Sequence, residues 1–399
     1  MAAGVLNYVC QLIMARVLSV DSYGTINTIF SFMMIMTVPG STLTMIVAKY
    51  YAADKQPKWG YLKQQLKTVV GIMIIALVML LALHKILAQI LAIYNNYVLI
   101  MGFVLAVLGY FQPLYLGVFS GNKKFLLVGV YSLFVPLYKI VAVLVAQIMS
   151  PVDITRLYIV LLTMIMGTIL MAIYGQIKSG EIIDKKNDCG CIKRTYTKDD
   201  INTLFLNISV MFYMNIDLLV VRFYGNSQES GLYSAVLLFG RVIYYFATTL
   251  GTMLLPSVAE SGISGNAKNK ILKRALFSMM VFAVVCMIPI NILKEELILF
   301  LYGRAYIQAT QYVIYASVIS LALSLFTIII NYVVGIGKTR HASIVMAVVD
   351  ILLLGCVCIF KSVTTILILI GVIGLLGTGV IYCIIRFEDN HPKRYSKMM

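Results

Sequence analysis

Four ionisable side chains stand inside long apolar runs of this 399-residue chain: Lys139, Asp217, Arg241 and Asp350. A charge at the centre of a membrane helix costs ~2.5–3.5 kcal/mol by insertion scales, so such groups turn away from lipid, toward another helix or a wet cavity. The bases suit phosphate chemistry. Arginine offers phosphate oxygens two parallel N–H donors, and lysine supplies a point charge. Arg16 and Arg222 each close an apolar run, and with Lys139 and Arg241 they form a cationic set fit for an anionic headgroup. Asp217 and Asp350 are the carboxylates a coupling ion could address. The competing reading is that acids and bases pair off between helices, most plainly for Asp350, whose run is otherwise featureless.

Helical spacing extends the set. Ser234, Arg241, Tyr244, Tyr245, Thr248 and Thr252 fall on one face at 3.6 residues per turn, and Ser320, Ser324, Thr327 and Asn331 repeat the pattern further on. Tyr131, Ser132 and Lys139 make a shorter stripe, while Asn215 and Asp217, two apart, point to nearly opposite sides of their helix. Hydroxyl stripes alone read as hydrogen-bonding glue between helices. With Arg241 among them, a polar lumen is the stronger expectation. Pro39, Gly40 and Pro136 are hinge candidates within their runs.

The elements that must position these groups are membrane helices. The chain is 61% hydrophobic and 12% charged, and a soluble domain carries about twice that charge. Runs of the ~20 apolar residues that cross a bilayer occur twelve times, at 2–18, 26–48, 69–92, 98–119, 125–148, 157–176, 204–224, 234–255, 276–293, 312–334, 343–360 and 364–385. The first opens at Met1 without a basic flank or cleavage site and is expected to be a real helix lacking its first turns. The expected architecture is all-α: an N-terminal six-helix bundle (1–176), a cytoplasmic linker loop (177–203) and a C-terminal six-helix bundle with a cytoplasmic tail (204–399), around a central cavity.

The net charge of +16 would suggest nucleic acid in a soluble protein, but its position argues otherwise. Connections on the side of the termini hold 23 Lys or Arg and 9 Asp or Glu; those on the other side hold 4 and 5. By the positive-inside rule both termini are cytoplasmic. No nucleic-acid partner is expected. The two halves also echo each other: Leu12 to Tyr23 and then Gly24, Leu218 to Ser230 and then Gly231, each with an arginine at the end of its first span. Such a repeat is parallel, about an axis along the membrane normal.

The residues Asn207, Asn215-Ile-Asp217 to Arg222, Glu229-Ser-Gly231-Leu-Tyr233, Gly240-Arg241 and Leu255-Pro256 to Glu260 carry a family likeness. With Ala15-Arg16 to Tyr23-Gly24, Phe300 to Tyr306, and Asn331-Tyr332 to Lys338, the chain resembles bacterial polysaccharide (O-antigen, Wzx-type) flippases of the multidrug/oligosaccharidyl-lipid/polysaccharide (MOP) exporter superfamily. The resemblance implies transport of an undecaprenyl-pyrophosphate-linked oligosaccharide from the cytoplasmic to the outer leaflet by alternating access. It places the chain in the bacterial inner membrane, with a polysaccharide polymerase as candidate partner. On that reading Lys139 and Arg241 hold the pyrophosphate, tyrosines and hydroxyls meet sugar, and the lipid tail stays in the bilayer.

Other signals are weaker. Gly335-Ile-Gly337-Lys338-Thr339 resembles the end of a P-loop, but Tyr332 stands where a glycine is required and a membrane helix precedes it, so no nucleotide is expected. Cys189 with Cys191, and Cys356 with Cys358, lack zinc-site spacing, and no metal or cofactor is expected. His84 reads as interfacial. Among other functions, an exporter of organic cations would favour intramembrane acids, whereas five bases and two acids lie in these spans. A lipid II-type flippase has the same physics with a different sugar. A membrane glycan polymerase or ligase needs a large outward loop, and the longest here, 294–311, reads as a short amphipathic helix.

Overall fold

The computed structural model describes residues 2–53, 59–183, 198–259, 265–337 and 339–390. Every regular element among them is helical. The chain divides into two compact units, Met1–Thr195 with Asn226–Gly231, and Tyr196–Gly225 with Leu232–Met399. The first contains α1 (Ala2–Val17), α2 (Val20–Met36), α3 (Val38–Ala53), α4 (Trp59–Ala82), α5 (His84–Ile90), α6 (Asn96–Leu108), α7 (Phe111–Gly121), α8 (Phe125–Met149) and α9 (Asp153–Ile182). The second contains α10 (Lys198–Tyr224), all but the first turn of α11 (Ser227–Ala259), α12 (Gly265–Ile292), α13 (Lys294–Leu301), a 3-10 helix (Arg304–Tyr312), α14 (Val313–Ile336), α15 (Thr339–Ile359) and α16 (Val363–Asn390).

Ten helical stretches among the described residues are long and apolar enough to cross a membrane, α6 with α7 and the 3-10 helix with α14 each counted as one. The two remaining expected spans are helical but shorter. The first is α1, of 16 residues; the second divides at Thr37 into α2 and α3, of 17 and 16. Outward-facing apolar side chains identify the solvent. On α4, Ile74, Ile75 and Val78 are each about 60% exposed, as is Val285 on α12. Water would penalise such surfaces, and lipid does not. The chain is therefore a multi-pass membrane protein. The expected helix in 294–311 is α13 followed by the 3-10 turn, joined through Gly303 at φ +91, a backbone conformation that glycine adopts without strain. Cys189 and Cys191 lie outside the described residues.

The break at Thr37 has a local cause. Pro39 has no N–H to continue the helix, and the Gly40 N–H turns back to the Thr37 carbonyl at 2.9 Å. The Met36 carbonyl is then met by the Tyr110 hydroxyl at 2.5 Å. Tyr110 itself sits at a second break, between α6 and α7, where the sequence reads as one span. Pro113 lies in the first turn of α7, and its ring covers Gly40. The Thr44 hydroxyl donates to the Pro113 carbonyl at 2.8 Å, so the two broken helices are bonded to each other. Pro136, by contrast, is buried within an unbroken α8.

Past the breaks, α3 and α7 are pressed together. Gly117 and Gly121 of α7 form a Gly-x-x-x-Gly pair that admits the α3 backbone: a side chain at Gly117 would start 2.8 Å from the Thr44 carbonyl oxygen, and one at Gly121 2.6 Å from that of Ala48. Small residues at this spacing are how membrane helices approach without a hydrophobic driving force. In the second unit α14 is the central helix, most of its residues being buried. It is packed by α10, α12, α15 and α16. The Tyr213 hydroxyl bonds the Ile370 carbonyl of α16 at 3.0 Å, over Gly374.

The echoed glycines meet within the first unit. Gly24 lies against the backbone of Ser227 and Gly231, a side chain there starting 2.4 Å from the Ser227 carbonyl oxygen, and the Ser227 hydroxyl donates to Asp21 at 2.7 Å. Nearby, the Ser19 and Ser22 hydroxyls both donate to Asp153 at 2.6 Å, and Arg156 bonds the Val17 carbonyl at 2.9 Å. These bonds clasp the α1–α2 turn to the start of α9.

The Gly117–Gly121 seam yields a stability prediction. Gly117→Val and Gly121→Val each force backbone apart and should cost about 1–3 kcal/mol, lowering the thermal midpoint of the detergent-solubilised protein. Gly129→Val, on α8 with nothing within 4 Å, should leave the midpoint unchanged. Equal midpoints for all three would contradict the packing described.

Candidate functional site

Each unit builds a polar cluster on apolar helices. In the first unit the cluster centres on Lys139. The side chain leaves α8 one turn after Pro136 and places its ammonium 4.2 Å from the centroid of the Phe30 ring on α2. A cation over an aromatic face gains ~0.5–2 kcal/mol, more as water is excluded. Lys139 is half-buried and lines a cavity of about 60 Å³ with Gln112, Tyr131, Tyr138 and Thr168 among its walls. That is room for a few waters, and its lining offers both donors and acceptors. Met33, Gly109 and Phe111 complete the lining toward the paired breaks. The α6–α7 break thus borders this cavity and Met33 stands one turn before the Thr37 break, while Pro39 and Gly40 are not among the walls; Pro136 lies on α8 one turn before Lys139.

In the second unit the cluster centres on Asp217, which is 1% exposed. The fully buried Tyr233 hydroxyl donates to its Oδ2 at 2.9 Å, and the Leu218 N–H to its Oδ1 at 2.7 Å. Tyr233 is fixed by an edge-on contact with the Tyr312 ring. Arg241, half-buried on α11, is within electrostatic reach of Asp217 and of Tyr244. Tyr244 is buried, Tyr245 is 39% exposed, and Thr248 donates to the Tyr245 carbonyl at 2.8 Å. Asn215 is buried, donates its amide to the Met211 carbonyl at 2.8 Å, and leaves Oδ1 without a hydrogen-bond partner among the described residues. The Thr252 side chain lies outside the described residues.

The stripe on α14 spends its donors on its own helix. Ser324, Thr327 and Asn331 bond the carbonyls of Ser320, Leu323 and Thr327 at 2.7, 2.8 and 2.7 Å. Gly240 and Gly251 of α11 lie directly against Ser320 and Asn331, so these residues form a close helix crossing. Asp350, half-buried on α15, sits beside the Ser209 hydroxyl of α10, although Oδ1 and Ser209 Oγ are not aligned as a hydrogen bond. Arg222 is 3% exposed in the last turn of α10, where a cation complements the helix dipole. Arg16 occupies the same place on α1 and is exposed. No group of three or more potential metal ligands occurs among the described residues.

Phe30, Tyr233 and Ser209 are the contacts that sequence reading does not find. Tyr233 lies two residues after Gly231, but its pairing with Asp217 needs α10 and α11 to be placed side by side. The pair is testable by a double-mutant cycle. Tyr233→Phe removes a buried bond to a carboxylate, worth about 1.5–3 kcal/mol, and should destabilise the protein strongly. In the Asp217→Asn background the same change should cost much less. Additive losses in the chemical-denaturation midpoint would show that the two side chains are not coupled.

No protein-family model matches the sequence, and no curated protein matches it. Solved structures do match in fold. A lipid II flippase MurJ in an inward closed conformation aligns over 94% of this chain and 84% of its own, with TM-score 0.70 and 16% identity. An inward-facing multidrug resistance MATE family transporter of the MOP superfamily aligns over 98% and 96%, with TM-score 0.68 and 13% identity. A MOP superfamily transporter from Pyrococcus furiosus, described by the reverse polarity of its binding pocket, aligns over 98% and 96%, with TM-score 0.60 and 12% identity. The chain has the all-α fold of MOP superfamily transporters.

Proposed function

We propose that the protein is a lipid-linked oligosaccharide flippase of the polysaccharide type. It moves undecaprenyl-pyrophosphate-linked repeat units from the cytoplasmic to the outer leaflet by alternating access, for surface polysaccharide synthesis. The observation that carries this reading is Lys139: a cation kept inside an apolar span, held over Phe30 at the edge of a small cavity that Gln112, Tyr138 and Thr168 also reach. Arg241 supplies a second cation in the other unit, and the spans hold more bases than acids. Fixed positive charge in a low-dielectric setting favours an anionic cargo. The MOP fold supports a transporter, and the MurJ likeness supports a lipid-linked substrate.

In this account Lys139 and Arg241 bind the pyrophosphate, and Arg16 and Arg222 guide it at the outer ends of α1 and α10. Asn215, Tyr244, Tyr245, Thr248 and Asn331 serve the glycan. Asp217 and Asp350 are the coupling candidates. The break at Pro39 and Gly40 is the hinge, with Pro136 easing α8. The 23-to-4 division of bases supports an inner-membrane location with both termini cytoplasmic, where a polysaccharide polymerase would take the product.

A lipid II-type flippase is the second reading, favoured by the MurJ likeness. A MATE-like exporter is disfavoured by the basic spans. Complementation separates them. The protein should restore glycan export to a strain lacking its polysaccharide flippase, and Lys139→Ala and Arg241→Ala should each lower export by about tenfold or more at equal membrane level, roughly 1.4 kcal/mol per tenfold step. Wild-type export by both variants would overturn the cationic site. Rescue of a lipid II flippase deficiency instead would select the second reading.

A further inference from the structure

A second cavity lies in the first unit and is larger and more apolar. A groove of about 490 Å³ runs between α4, the α6–α7 break and α9, walled by Leu66, Leu108, Phe111, Ala172, Ile173 and Ile177. Its volume falls in the ~300–1,000 Å³ range of ligand sites. Of its polar lining residues, the Tyr115 hydroxyl donates to Gln176 Oε1 at 3.0 Å, so the remaining surface is hydrocarbon. The outer lip is exposed: Ile173 is 51% and Ile177 56% exposed. Such a lip on a membrane helix opens to lipid.

The groove and the Lys139 cavity share two wall residues, Phe111 and Ala172. A wide apolar trough and a small cavity with an ammonium-bearing side chain among its walls thus share a wall. Phe111 is the first residue after the α6–α7 break, and Ala172 presents only a methyl group. We infer that the groove seats the polyprenyl chain of the lipid-linked substrate, with its phosphate directed past Phe111 and Ala172 to Lys139. The inference rests on the flippase reading and adds where the lipid tail is held. Charge complementarity selects the occupant: a neutral hydrocarbon has no use for the adjoining ammonium, and a soluble anion has none for the trough. The chain that fits both is an amphiphile with its anion next to its tail.

Photo-crosslinking tests this in the full chain. A benzoylphenylalanine is placed at Ile173, and a second at Val285, which is 62% exposed on α12; each protein is reconstituted in phosphatidylglycerol vesicles containing radiolabelled undecaprenyl phosphate. Labelling at Ile173 should be competed by unlabelled undecaprenyl phosphate and not by added phosphatidylglycerol. It should fall about tenfold in Ala172→Trp, which fills the shared wall, and in Lys139→Ala. Labelling at Val285 should show no such preference. Equal labelling at the two positions, or displacement by phosphatidylglycerol, means ordinary boundary lipid and overturns the groove. The Ile173 result with Ala172 intact decides the matter even where Ala172→Trp fails to fold. Export by the unlabelled wild type separates the two ideas. Export without selective labelling at Ile173 removes the groove and leaves the flippase, while selective labelling without export keeps the groove and removes the flippase.

Discussion

A carbonyl freed inside a bilayer has no water to bond, and the first unit is organised around one such group. When Pro39 interrupts the second span, the Met36 carbonyl loses its helical donor and takes the Tyr110 hydroxyl in its place. Without a protein donor at that depth, the exposed acceptor would cost several kcal/mol. The donor can be there because α6 and α7 are themselves interrupted at Gly109–Tyr110, and because Gly40 is small enough to lie beneath the Pro113 ring. The Thr44 bond to the Pro113 carbonyl and the Gly117–Gly121 seam then hold α3 and α7 together beyond the breaks. A break in one helix is tolerated because its neighbour is broken at the same level.

That arrangement sets the chemistry. The cavity beside Lys139 is lined by Met33, Gly109, Phe111 and Gln112, residues flanking the two breaks. An unbroken pair of helices would present regular apolar ridges there. The ammonium is held over Phe30 while the side chain borders the cavity, so a positive charge adjoins a space that a few polar groups, Gln112, Tyr138 and Thr168 among them, also reach. In the second unit the logic differs. Asp217 is bonded by Tyr233 and sits within electrostatic reach of Arg241.

Much of this was legible in the residues. Apolar runs of bilayer length are a strong signal, and all twelve segments are helical, ten of them long enough to cross a bilayer when α6 and α7 are taken together. The inward turn of charged groups also follows from their cost in lipid, as Asp217 at 1% exposure illustrates. The α6–α7 break was not legible, since Pro113 is tolerated in a first turn and gives no warning of a second interruption. Phe30 looks like any apolar residue until α2 and α8 are placed together. The α14 stripe has the spacing of a polar face, yet its bonds run back along the helix and its outer surface meets Gly240 and Gly251. Periodicity locates a face and does not say what covers it. The echo around Gly24 and Gly231 is weak as a repeat, but it marks a place where backbone meets backbone.

On the proposed reading the half-buried charges of Lys139 and Arg241 serve an anionic lipid-linked cargo. The most direct test of that role is transport by the purified protein in sealed vesicles, with a fluorescent undecaprenyl-pyrophosphate oligosaccharide in one leaflet and its appearance in the other read by an impermeant quencher. Leaflet exchange should run well above protein-free vesicles and be largely lost when Lys139 and Arg241 are both replaced by alanine. Exchange of the lipid at the protein-free rate, with uptake of an organic cation by the same vesicles, would contradict that role.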